Sequence, residues 1–86
     1  MARDNRSIVL EKPQSVAIPA MIADNLRGMI ARGNLAAGLR LGQRELAEKF
    51  NASRVPVREA LKLLCSEGIV EHDPNRGFFV ARLSSD

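Results

Sequence analysis

Arg54, Arg58 and Lys62 recur at i, i+4 and i+8. On a helix that spacing places three cationic side chains along one strip. Val57, Ala60, Leu61 and Leu64 fall at helical spacing on another face and give the same segment a side to bury. An arginine near the start of such a helix can offer its planar fork to guanine O6/N7 or to a phosphate. The plainer alternative is a solvated charged face, with Glu59 as a local partner for the arginines. Net charge is +3, from 13 Lys+Arg against 10 Asp+Glu. That balance suits a polyanionic partner, but many small domains share it, so the placement of the charges matters more than their sum.

Other chemistries find little support. Cys65 is the only cysteine and His72 the only histidine, which excludes an internal disulfide and a Cys/His metal cluster. Neither a metal nor a cofactor is expected. There is no Ser/His/Asp or Cys/His set and no glycine-rich phosphate loop, so the chain does not read as an enzyme. Glu45 with Glu48, and Glu67 with Glu71, read as ordinary helix-surface and helix-end carboxylates. Cys65 reads as a small hydrophobe, and His72 as the top of a strand. A single cysteine suits a reducing, cytoplasmic setting. No run approaches the roughly 18 apolar residues of a membrane span, and the polar start Met1–Arg6 shows no secretory signal.

The elements that must position the arginines follow from period and punctuation. Residues 1–17 read as a polar N-terminal tail with a short apolar run at Ile8–Leu10. A first helix is expected from about Pro19 to Arg32, with Ile18, Ile22, Leu26, Met29 and Ile30 on its apolar face and Gly33-Asn34 as its stop. Gly28 inside it suggests close packing. A connector with a short strand at Leu39–Leu41 follows. A second helix from Gln43 to Phe50 buries Leu46, Ala47 and Phe50. Asn51-Ala52 forms a tight turn, Ser53 caps the third helix, and that helix runs to about Glu67 before Gly68. Ile69–His72 and Phe78–Ala81 are β-prone, and the turn formers Asp73–Gly77 make them a hairpin. At least one of Phe78 and Phe79 should pack on the core by strand alternation.

The fold class is therefore mainly α with a small β-hairpin, a winged helix-turn-helix of three helices plus a wing, over residues 18–82. With 86 residues there is room for one domain. Residues 83–86 read as the start of a linker. Winged helices also serve as protein-interaction modules without DNA binding, and Phe78-Phe79 could anchor a partner. An acidic or apolar third helix would favour that alternative; Arg54 and Arg58 do not.

Ser53-Arg54-Val55-Pro56-Val57-Arg58-Glu59-Ala60-Leu61 resembles the recognition-helix signature of GntR-type transcription regulators. The likeness extends through Leu26-Arg27, Ile30, Gly33, Leu35, Gly38 and Leu41, through Glu45-Leu46-Ala47, and through Leu64, Gly68–Val70 and Asn75–Ala81. The Asn-Arg-Gly wing tip resembles the FadR branch. The resemblance implies sequence-specific binding, with the third helix (about 54–67) in the major groove and the wing (about 69–81) on the minor groove or backbone. It implies that Arg44 binds a phosphate, that Ser53 and Pro56 sit beside the backbone, and that Arg54 and Arg58 are the principal groove contacts. Asn75, Arg76 and Gly77 would place the wing. Val55 stands where Thr is common, so its contact is either a thymine methyl or the sugar backbone. Asn51, Ala37 and Gln43 depart from a frequent Gly, Pro and Glu. The implied partners are a near-palindromic double-stranded DNA operator, a second copy in a full-length homodimer, and a small-molecule effector bound only by the absent C-terminal domain.

Overall fold

Proline opens the first helix of the computed structural model, which describes residues 18–82. The expected tail and linker lie outside the described residues. Helix α1 (Pro19–Ala31) has Pro19 where its missing N–H leaves no intrahelical bond unmade. Arg32 caps the far end, and Gly33 takes a left-handed φ of +82°. Ile22, Ala23 and Leu26 are its buried residues, and Ile30 packs partly buried against them. Ile18, expected on that face, is 48% exposed because it is the N-cap residue and lies outside the helical turns. Gly28 is not a close-packing site either. A methyl built there would meet only the far end of the Arg32 side chain.

Strand β1 (Arg40–Leu41) leads into helix α2 (Gln43–Phe50), which has the bounds the sequence predicts. Leu46 and Ala47 are buried, and Phe50 is partly so. Asn51 ends the helix in the left-handed region at φ 54°, a conformation asparagine tolerates better than most residues. The Asn51 and Ala52 amides then donate back to the Glu48 and Ala47 carbonyls. Helix α3 (Arg54–Ser66) starts two residues later and ends one residue short of expectation, with Glu67 as its cap.

Val57, Ala60, Leu61 and Leu64 of α3 are fully buried and form the centre of the core. Burial of each larger side chain contributes about 1.5–3 kcal/mol. Helix α1 packs chiefly on α3. Arg27 Nε and Nη2 clamp both carboxylate oxygens of Glu67 at 2.9 and 2.8 Å, and Nη1 reaches Asp24 at 2.6 Å. These hydrogen bonds hold the Arg27 guanidinium above its already high ordinary pKa.

Strands β2 (Val70–Asp73) and β3 (Gly77–Val80) form the expected hairpin. Strand β1 joins the other edge of β3, giving an antiparallel sheet in the order β1-β3-β2. Leu41, Val70, Phe78 and Val80 face the core, and His72 stacks on Phe78 with ring centroids 4.4 Å apart. Arg40 and Glu71 oppose Phe79 on the other face. Among the described residues, no helix is long and apolar enough to cross a membrane, and no three His, Cys, Asp or Glu side chains cluster as metal ligands.

Candidate nucleic-acid interface

Burial of one face of α3 decides what the other presents. With Val57, Ala60, Leu61 and Leu64 turned inward, Arg54, Arg58 and Lys62 are exposed. The Asn51 turn sets the approach of α2, so Arg44 in its first turn lies beside the start of α3. Arg44, Arg54 and Arg58 line one open groove of about 480 Å³, together with Arg40, Glu45 and, from the wing, Gly77. Four guanidinium groups face one carboxylate there. Among the described residues, none of the four arginines is held in an ion pair. Their charge is therefore available to an external anion.

The remaining sequence-predicted positions lie around this groove. Ser53 is the N-cap residue of α3, as expected, but its hydroxyl makes no capping hydrogen bond. It is exposed, and among the described residues its hydroxyl makes no hydrogen bond. Val55 is 69% exposed in the first turn, with Pro56 half-buried beside it. On the wing, the Asn75 amide donates to Asp73 Oδ1 at 2.9 Å and the Arg76 amide to the Asp73 carbonyl at 3.0 Å. That side-chain-supported turn suits an aspartate at its first position. Gly77 has a φ of +111° and closes the loop where an L side chain is strained. Asn75 and Arg76 stand at the wing tip and do not line the groove. The Arg76 guanidinium instead lies over the Phe79 ring.

Arg40 is the groove residue that sequence reasoning missed. Its Nε donates to the Arg76 carbonyl at 3.1 Å. Its only local signals were a polar residue between Leu39 and Leu41 and a four-residue spacing from Arg44. Neither shows that β1 pairs with a strand nearly forty residues later.

A helix-turn-helix whose second helix carries a cationic strip, with a β-hairpin flanking the same groove, defines a winged helix-turn-helix DNA-binding domain. The chain belongs to the bacterial regulatory proteins of the gntR family, whose model matches residues 19–80. It is similar to the HTH-type transcriptional regulator YdhC of Bacillus subtilis (strain 168), 36% identical over 62 residues, which are 72% of this chain and 28% of that protein. A GntR-family transcriptional regulator from Pseudomonas syringae pv. tomato superposes with a TM-score of 0.70 at 40% identity, over 76% of this chain and 27% of that one. The DNA-binding domain of AraR, solved in complex with operator ORR3, superposes with a TM-score of 0.68 at 26% identity, over 73% of this chain and 77% of that one. The chain spans little more than a quarter of the curated relative's length.

Proposed function

We propose that this domain binds an operator with the N-terminal half of α3 in the major groove and the wing on the adjacent minor groove or backbone. The convergence of Arg44, Arg54 and Arg58 on one groove shared with Gly77 carries this reading. Arg54 and Arg58 lie at the end of α3 that meets base edges in helix-turn-helix docking and are the candidate base readers. Arg44 neutralises a phosphate. Ser53, with its free hydroxyl, and Pro56 rest against the sugar-phosphate backbone, and Val55 packs beside them. Asn75, Arg76 and Gly77 place the wing. The AraR complex supports the reading as an operator-binding domain, since a domain of the same fold is seen there with operator DNA.

The wider setting is also part of the proposal. The domain serves a cytoplasmic, non-enzymatic regulator of the FadR-like branch. The full regulator is a homodimer on a near-palindromic site, with a small-molecule effector held by a separate C-terminal domain. A role confined to protein contact would leave the convergent arginines without a purpose.

Selection of bound DNA from a random pool, followed by mobility-shift titration at several salt concentrations, tests the central claim. A preferred sequence should emerge, and log affinity should fall linearly with log salt, by about 0.9 per neutralised phosphate. Absence of both an enriched sequence and a salt slope overturns it.

A further inference from the structure

The Arg40 guanidinium lies between Gly77 of the wing and Gly42, the N-cap residue of α2. A methyl built on Gly77 would stand 3.6 Å from Arg40 Nε and Nη2; one built on Gly42 would collide with the Glu45 carboxylate and stand 3.6 Å from Arg40 Nη1. The guanidinium thus spans from the N-cap of α2 to the base of the wing tip. Its Nε bond to the Arg76 carbonyl fixes the wing side of that span. In the sheet, Arg40 lies directly opposite Phe79, the residue whose ring carries the Arg76 guanidinium. Arg40 therefore holds the Arg76 backbone at its carbonyl, while the Arg76 side chain rests on the cross-strand neighbour of Arg40 and can leave it.

We propose that Arg40 is a positioning residue that couples the wing tip to the helix-turn-helix, so that Arg76 and the α3 arginines meet the duplex in one register. This rests on the reading of the groove as the DNA face. The planar fork matters as well as the charge. Nε is held close to the chain by the side-chain stem, and the two Nη groups extend beyond it. A lysine supplies a point charge without that geometry. Arg40 is exposed, so its replacement leaves the buried core intact.

The test has two arms. In the free protein, backbone NMR relaxation reports the order of Asn75, Arg76 and Gly77. Arg40→Ala and Arg40→Lys should both lower that order, while wild type holds it. On the selected operator, Arg40→Ala should weaken binding about 3- to 10-fold, the size of one ordinary net hydrogen bond. Arg40→Lys should weaken it too while keeping the wild-type salt slope. In a double-mutant cycle, Arg76→Ala should cost much less in the Arg40→Ala background, whereas Arg58→Ala should add to it independently. Unchanged wing order in Arg40→Ala overturns the proposal. So does a fully additive Arg40–Arg76 cycle, and so does full rescue of affinity by lysine, which marks a simple phosphate contact. Reduced wing order with no effect of Arg58→Ala or Arg76→Ala on binding retains the strut and overturns the DNA reading of the groove instead.

Discussion

The guanidinium of Arg76 lies over the ring of Phe79, 5.5 Å from its centroid. The side chain therefore runs along the outer face of the wing. To reach a minor groove it must leave the ring, and an exposed cation–π contact is worth only about 0.5–1 kcal/mol. On the proposed docking, the attraction of a narrow, electronegative groove is set against that small cost. Phe79→Leu keeps an apolar side chain on the strand and releases the arginine. Operator affinity measured by fluorescence anisotropy should then stay level or tighten, by no more than about fivefold. Arg76→Ala should weaken it. A large loss with Phe79→Leu would mean that the ring itself holds the wing in its binding conformation.

The groove arginines should separate by role. If Arg54 or Arg58 reads guanine, its replacement by alanine costs about 1–3 kcal/mol on the operator and flattens preference at one position. Arg44→Ala should weaken binding to operator and random DNA alike and reduce the salt slope by about one phosphate. Competition titrations against random duplex measure both. The assignment fails if Arg54→Ala and Arg58→Ala both leave the operator-to-random ratio unchanged.

The sequence showed the fold and the groove unevenly, and the reason is physical. Local signals sufficed for α2 and its turn, because the apolar period of Leu46, Ala47 and Phe50 ends at an asparagine suited to the left-handed backbone. They also sufficed for the inward face of α3 and for Phe78 in the core. The β1–β3 pairing was invisible, because a two-residue strand carries no period of its own and its partner is distant in sequence. Arg40 was lost with it. Ser53 was legible as a cap position, but its hydroxyl makes no capping hydrogen bond, which residue type alone does not show. The three- and four-residue spacing puts Ile18 on the buried face, but its place before the first helical turn exposes it.

Gly28 offers a stabilising change. It sits within α1 with helical neighbours on both sides, and the space for a methyl is bounded only by the flexible end of Arg32, 3.1 Å away. That end can move aside. Gly28→Ala should raise stability by about 0.5–1 kcal/mol through helix propensity and a less disordered unfolded chain. Thermal unfolding should show a rise in Tm of a few degrees. DNA affinity should not change, because α1 contributes nothing to the groove. A fall in Tm would show that the Arg32 side chain cannot yield.

Cys65 is half-buried against the core, and that burial pushes its thiol pKa up. The folded thiol therefore stays neutral where a free cysteine has begun to ionise. Alkylation by iodoacetamide at mildly alkaline pH should be slower in the folded protein than after denaturation, since the thiolate is the nucleophile. The linkage has a definite sign. The folded state holds the proton over a pH range in which the unfolded state has lost it, so this contribution to stability is complete below the unfolded thiol pKa. It declines as pH rises through that value toward the folded one. Equal alkylation rates in the two states would contradict the burial.

The last prediction concerns how one such domain holds an operator. A stable protein interface buries about 1,200–2,000 Å² in total. Among the described residues, the exposed large apolar side chains are Ile18, Met21, Leu39, Val55 and Leu63. They are spread in sequence over the start of α1, the connector and two positions along α3, rather than gathered on one element. The 86-residue chain should therefore sediment as a monomer at micromolar concentration. It should bind one half-site weakly, with a steep salt dependence, because phosphate neutralisation dominates what a single domain gains. A two-fold regulator makes the second half-site contact intramolecular, and such linkage raises avidity by about 10²–10⁴ without any new contact. Fusion of this chain to an unrelated dimerisation module through a flexible linker should recover much of that gain on a near-palindromic site, and none on a single half-site. A stable dimer of the unfused chain, with operator affinity unimproved by fusion, would show that dimerisation resides in this domain itself.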